Sequence, residues 1–234
     1  RNRWALLAGF FALVAIALGR SATGLVLVCA GVASYWYFLT LIRLRLHRSR
    51  SVLVTSTLVY LLICLTLYAN YHIFLDLLGR DSSLTDRTQI WALLAPSIEE
   101  ELLRGYGFGA FWASSAADFF LRRWGYIGNA HSGYLETLLN GGLVHLVALV
   151  LLFAATLYKH FNALQQRSAV AQHASALVII GVFILSNYVA YVVPNHRTGE
   201  FLVFCVLALS LRPARAAATS RAGVESGIYG RPSA

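Results

Sequence analysis

Apolar positions in this chain fall into long, nearly unbroken runs, and the polar positions collect between them. The runs approach the roughly 20 residues a helix needs to cross a bilayer. They predict helices over Trp4–Leu18, Leu25–Ile42, Val52–Leu75, Tyr134–Tyr158, Ala169–Val193 and about Thr198–Leu211. Inside these runs the apolar residues show neither the alternation of a strand nor a single stripe, so the helices are expected to be apolar on all sides. The predicted fold is an all-α integral membrane protein with about six transmembrane helices. One stretch differs: 77–131 is long, mixed in polarity and free of linker composition, and loops of that kind are usually functional. Within it "TDRTQIWALL" reads as a short amphipathic helix, with Thr85 or Asp86 as its N-cap. Pro96 is expected to end or kink it before "SIEEELLR" begins a second segment. Ile90, Trp91, Leu93 and Leu94 suit such a helix to the membrane interface.

Composition agrees with this pattern. The chain has 234 residues, of which 58% are hydrophobic and 12% charged, against roughly 25% charged in soluble domains. It contains no methionine and begins at Arg1, and is read as the C-terminal portion of a longer protein. The tail 212–234, rich in Ala, Arg, Ser and Gly, is expected to be disordered, which leaves 1–211 as one transmembrane domain. Cys29, Cys64 and Cys205 all lie inside apolar runs, without ligand spacing or a disulfide context.

The net charge of +9 would suit nucleic acid, but its distribution assigns it to topology. The N-terminus, "RLRLHRSR" (43–50), "KHFNALQQR" (159–167) and the C-terminal tail hold 12 of the 19 Lys and Arg residues. The positive-inside rule places these segments in the cytoplasm. The turn "GRSATG" (19–24), the long loop and the turn "PNHRTGE" (194–200) then lie outside with 7 arginines, and with Asp76 and Glu136 at the adjoining span ends this face has 9 of the 10 acids.

Chemistry is expected on that outer face. Arg87 opens a helix, where a cation opposes the macrodipole. Its partner is either Asp81 or Asp86, or an anionic ligand. Arg80 lies just upstream, and the basic residues of this face are all arginine, which suits bidentate phosphate binding; a single lysine in the whole chain leaves genome composition as the plainer account. "GYGFGAFW" (105–112) lacks the strand-then-helix setting of a dinucleotide site. Its glycines predict a tight turn, and Tyr106 suits either sugar stacking or an interfacial aromatic belt. In "GNAHSGYLETLLNGG" (128–142), His131 stands at the mouth of a span. Asn129, Ser132, Glu136 and Asn140 then share one helical face. An acid one turn inside a membrane faces protein or a wet cavity, and a histidine beside it suits proton transfer near neutral pH. The alternative is a helix-capping cluster with an incidental histidine.

In this order, "GRDSSLTDRTQIW", "GYGFGAFW" and "AHSGYLETLLNGG" around one long loop resemble the O-antigen ligase/polymerase superfamily, most closely its exopolysaccharide polymerase-type members in Gram-negative bacteria. The resemblance covers 1–211 and rests on 79–142. It implies an architecture of the GT-C type in the bacterial inner membrane, with the active site facing the periplasm. It also implies a metal-independent, inverting glycosyltransferase without cofactor. Such an enzyme moves a glycan from undecaprenyl pyrophosphate to an acceptor glycan or a lipid A core. Membrane lipids are its surroundings, and nucleic acid is no partner. By motif position, Arg87 matches the pyrophosphate-binding arginine, His131 the base or acceptor-positioning histidine, and Arg80 a supporting match. Glu136, Tyr106, Arg20 and Arg197 are the remaining substrate-binding candidates. Two departures stand out. "GRSATG" puts Arg20 ahead of Ser21 where the family has a Ser-x-Ser-Arg-like turn. The later asparagine-to-glutamate motif keeps Asn187 but has Ala190 in the place of the acid.

A transporter or flippase for a lipid-linked glycan or other anion is the competing class. It should place polar groups near the midplane on broken helices, whereas here they gather at one face. His131 and Arg87 are therefore expected to converge at the outer boundary, with Arg20 and Arg197 approaching from the short turns. A cysteine at Ser83 is expected to react with an impermeant thiol reagent from outside, and one at Ser49 only after the membrane is opened. Labelling of Ser49 in intact cells would reverse the orientation.

Overall fold

The computed structural model describes residues 14, 22–69, 87–125, 127–165 and 170–209. Seven α-helices and no strand occur among the described residues: α1 (Ala22–Arg43), α2 (Arg50–Ala69), α3 (Arg87–Glu100), α4 (Asp118–Trp124), α5 (Gly133–Ala163), α6 (Val170–Val189) and α7 (Gly199–Leu209). Three of them are long and apolar enough to cross a membrane, over Gly24–Arg43, Gly133–Ala163 and Val170–Val189. The chain is an all-α membrane protein. The expected span Val52–Leu75 corresponds to α2 as far as Ala69, and the last expected span to α7, which has 11 residues. The expected helix Trp4–Leu18, apart from Val14, lies outside the described residues, as do Arg20, Arg80, the Thr85/Asp86 cap and the 212–234 tail.

Polar pairs hold the apolar helices together, as lipid offers helices no hydrophobic reason to associate. Between α1 and α2, the Tyr37 hydroxyl lies 3.0 Å from Ser56 Oγ and 3.1 Å from Thr57 Oγ1, and Ser34 Oγ lies 2.6 Å from the Tyr60 hydroxyl. The rings of Tyr37 and Tyr60 stack at 4.5 Å. At one end of the bundle, His160 of α5 meets His173 of α6 with their Nδ1 atoms 3.0 Å apart, and His160 Nε2 lies 3.0 Å from the Leu207 carbonyl. Beside them Lys159 Nζ donates to the Ala208 carbonyl at 3.0 Å, supplying a cation and a donor to the C-terminus of α7. Phe38, Leu41, Leu53, Leu164, Ala174 and Leu177 form one buried cluster at this end, so the basic segment 43–50 and the segment 159–165 share a face.

The long loop supplies the opposite end and has a core of its own. Ile90, Leu94 and Ile98, at i, i+4 and i+8 of α3, are buried against Phe111, Ala117, Phe120, Ile127, Ala130 and Leu139. Full burial of side chains such as Leu94 and Phe111, both at 0% exposure, stabilises by about 1.5–3 kcal/mol each. The apolar stripe of α3 thus faces the loop's core, and of the interface set expected above only Leu93 is exposed. Pro96 does not end the helix, which continues through it to Glu100. Pro96 and Ala92 are both exposed, so water can meet the carbonyl that loses its N–H partner.

The chief irregularity is in α5. Gly141 (φ −154°, ψ 19°) and Gly142 (φ 61°, ψ −156°) break the helix, about 12 Å from its start at 1.5 Å per residue. The segment 102–109 fills the break. Tyr106 N–H donates to the Leu139 carbonyl at 2.7 Å, Gly107 N–H to the Asn140 carbonyl at 3.1 Å, and Gly109 N–H to Asn140 Oδ1 at 2.8 Å. The restarting helix donates Leu143 N–H to the Leu102 carbonyl at 2.8 Å. The approach is close enough that a Cβ on Gly105 would stand 2.6 Å from Gly141 N, whereas one on Gly109 would meet nothing within 4 Å.

Both glycines have positive φ, 65° and 69°, so alanine at either should cost about 1–3 kcal/mol of backbone strain. Only Gly105→Ala adds a backbone clash. It is expected to lower the thermal midpoint in detergent by more than Gly109→Ala and to open 101–117 to protease. Equal midpoints for the two variants would contradict the docked loop.

Candidate active site

Three segments meet above the break: the N-terminal turn of α3, the turn that leads into α5, and the turn after α6. Arg87, the first residue of α3, sends Nη1 to the carbonyl of Val189, the last residue of α6. The charge that opposes its own helix dipole therefore complements the C-terminus of another helix. Among the described residues its partner is that helix end, which neither sequence reading had named; Asp81 and Asp86 lie outside the described residues. The contact uses one guanidinium nitrogen and leaves the other donors uncommitted among the described residues.

His131 faces the same place. It is exposed, and its backbone is left-handed, with φ 50°, a conformation that costs a non-glycine residue about 1–3 kcal/mol. Its N–H donates to Asn129 Oδ1 at 2.9 Å. The imidazole pKa is lowered from its ordinary 6.5, first by the protein that displaces water from part of the ring, then by the nearby positive charge of Arg87. Arg87 and His131 thus form one electrostatic unit, although 44 positions separate them.

Below them lies Glu136, only 2% exposed. Its carboxylate accepts the Trp112 indole N–H, 3.1 Å from each oxygen, and the Ala130 N–H at 2.8 Å. The Ala130 carbonyl accepts the Trp91 indole N–H at 2.9 Å. Ser132 caps α5, and Gly133 N–H donates to the Ala190 carbonyl at 2.9 Å. Asn129 consequently lies outside the helix whose face it was expected to share; its side chain closes the turn instead.

Arg197 and Tyr191 approach from the turn after α6. The Tyr191 pKa is raised, by burial first and then by the charge of Glu136, and is drawn back by a hydrogen bond with Asn140 and by the charge of Arg197. Arg197 therefore belongs to a second group with Tyr191 and Asn140, and Glu136 acts on both groups. Tyr191 was not singled out in the sequence, where it reads as one more aromatic at a span end. Phe108 joins this side through His196, with ring centroids 5.6 Å apart. Tyr106 sits elsewhere: its hydroxyl donates to the Ser97 carbonyl at 3.1 Å and to Glu100 at 3.2 Å, and its ring packs edge-on against Phe111. Buried Asn187 shapes the turn, its Oδ1 accepting from Val192 N–H (3.2 Å) and Val193 N–H (3.0 Å). A groove of about 430 Å³ runs between α3, α5 and α6, walled by Trp91, Tyr134, Leu138 and Tyr188 among others. Trp91 lies one turn from Arg87, and Ser132, also in the wall, follows His131. Among the described residues no group of three or more His, Cys, Asp and Glu is placed to hold a metal ion.

Residues 7–150 match the family described as O-antigen ligase. The chain belongs to the O-antigen ligase family. It is also similar to the exopolysaccharide production protein ExoQ of Rhizobium meliloti, at 27% identity over 173 residues, which is 68% of this chain and 39% of that protein. The chain thus spans about two fifths of the length of this curated relative. No solved structure matches it.

The two causes acting on His131 both disfavour its protonated form. The ring should titrate below 6.5 in the folded protein, and any stability tied to its neutral form is lost as pH falls from 6.5 through that lower value. Arg87→Gln is expected to move the midpoint upward. The check is ¹⁵N NMR of the histidine rings, with His131 assigned by difference against His131→Gln. An unchanged midpoint would place Arg87 out of range of the ring.

Proposed function

We propose that this chain carries the transfer centre of a metal-independent, inverting glycosyltransferase. It moves a glycan from undecaprenyl pyrophosphate to an acceptor sugar at the periplasmic face of the bacterial inner membrane. What supports this reading is that Arg87 and His131 lie close enough for the charge of Arg87, after burial, to lower the imidazole pKa. Neutral His131 takes the proton of the acceptor hydroxyl, whose oxygen forms the new bond at the anomeric carbon. The carbon–oxygen bond to the pyrophosphate breaks with inversion, and the leaving group departs with the electron pair. Arg87 offers guanidinium N–H groups to that charge. One such cation at about 4 Å is worth roughly 4 kcal/mol at an effective dielectric near 20. The proximity of Arg87 also keeps His131 from holding a proton before the acceptor arrives.

The other elements fit around this centre. The apolar groove suits the first isoprenoid units of the donor. Arg197, Tyr191 and Phe108 form the acceptor side, and Tyr106 acts on substrate only through the loop it anchors. Arg80 and Arg20 supply further cations at the donor pyrophosphate, within a GT-C-type arrangement of six spans over 1–211. The acceptor is either another lipid-linked repeat or a lipid A core, giving a polymerase or a ligase. The name of the exopolysaccharide relative favours the polymerase.

A broken helix is what a transporter reading would call for. Here the carbonyls of Leu139 and Asn140 are already met by Tyr106 and Gly107, which favours a docking site for the loop over an ion path.

Transfer should be lost in Arg87→Ala and largely lost in Arg87→Lys, measured with lipid-linked donor in membranes containing chelator. Lysine can still cap the Val189 carbonyl, so the thermal midpoint of Arg87→Lys should stay near wild type while a point charge fails to replace the planar fork. Near-normal transfer by Arg87→Lys would refute the fork, and dependence on added Mg²⁺ or Mn²⁺ would refute the metal-free mechanism. In a deletion strain, loss of long glycan chains with single repeats retained identifies a polymerase. Lipid-linked long chains above bare core identify a ligase.

A further inference from the structure

Four backbone groups around His131 are held by side chains or by another turn, and a side-chain cap joins them. Ala130 N–H is bound by Glu136 of α5, the Ala130 carbonyl by Trp91 of α3, and His131 N–H by Asn129. Ser132 caps α5 through its own side chain, and Gly133 N–H reaches the Ala190 carbonyl beyond α6. A left-handed histidine persists only where its surroundings over-determine it, and these contacts do so. Within the set, Glu136 is the buried acid, and it is oriented in turn by Trp112, whose N–H spans both carboxylate oxygens at 3.1 Å. A relay of contacts therefore runs from Trp112 through Glu136 and Ala130 to the backbone of His131.

We propose that Glu136 is a positioning residue: together with Trp91 and Trp112 it locks the Ala130–His131 turn so that the imidazole faces Arg87, and it neither contacts substrate nor exchanges protons with it. This assigns Glu136 a role other than the substrate contact expected from its helical face. The functional part rests on the transfer reading above; the structural part does not. A carboxylate with a protein donor on each oxygen and 2% exposure is shut off from a sugar by burial.

Substitution chemistry separates the roles. In Glu136→Gln the amide has one oxygen for two donors. Whichever way it is placed, its NH₂ faces either the Ala130 N–H or the indole N–H of Trp112. Trp112→Phe removes one of those N–H groups, so the double variant can again accept the Ala130 N–H with its amide oxygen. The test uses the full chain in membranes carrying lipid-linked donor, and reads the ¹⁵N titration midpoint of His131 beside kcat and donor KM. Glu136→Gln is expected to lower kcat by about a hundredfold, the scale of a small misplacement of a reacting group, with donor KM little changed and the midpoint displaced. Adding Trp112→Phe should return the midpoint and recover most of kcat, a coupling that independent sites would not show.

A double variant whose midpoint returns while kcat stays as low as in Glu136→Gln would mean that the carboxylate itself is needed for charge or proton transfer, and would overturn the proposal. A midpoint that stays displaced would overturn it too, because the Ala130 N–H then does not set the turn. So would a His131 midpoint that Glu136→Gln leaves in place. Should the chain prove not to transfer glycans at all, the midpoint shift and its reversal would still be expected, so the two readings fail separately.

Discussion

Leu139 and Asn140 carry carbonyls at a point where α5 stops being helical, inside a bundle whose neighbours are apolar. Backbone groups freed in such a setting have to find partners within the protein. The partners come from the loop that precedes the helix: Tyr106 and Gly107 donate to the freed carbonyls, and Leu102 accepts from the restarting helix. Glycine on both sides makes this approach feasible. A side chain at Gly105 would strike the backbone of α5, and one at Gly142 the backbone of Leu103. The break therefore fixes where the long loop sits, and the loop carries Trp112 and much of the core at that end.

From that fixed loop the site follows by contact. Trp112 orients Glu136, Glu136 holds Ala130, and Trp91 of α3 holds the same residue from the other side. Arg87, at the opening of α3, is tied to the end of α6. The histidine and the arginine are thus each held by contacts of their own. A transfer centre benefits from this arrangement because donors and bases fixed before substrate arrives need no reorganisation during the reaction.

The charges serve two purposes at once. An arginine that caps a foreign helix end stabilises the fold. The same arginine lowers the basicity of its neighbouring histidine. In the proposed reaction both effects act in one direction: the base is free at neutral pH, and the leaving group meets a cation.

Much of this was legible in the residues. Unbroken apolar runs fixed the all-α membrane class, and the family's motifs at 79–142 pointed to Arg87 and His131, because a helix-opening arginine and a histidine at a span mouth are locally out of place. The continuation of α3 through Pro96 was not legible, since it depends on whether water reaches one carbonyl. Nor was the break in α5, since two adjacent glycines are compatible with a continuous helix until another backbone comes to lie against them. The place of Tyr191, the helix end that Arg87 caps and the enclosure of Glu136 were hidden for a common reason. Each depends on which segments meet across large separations in the chain, and periodicity reports only a residue's own face. The sequence by itself determined where the chain is apolar and where its unusual charges lie. The tertiary structure alone decided which of those charges touch, because in an apolar bundle the demand to satisfy every buried donor and acceptor selects one arrangement of loops.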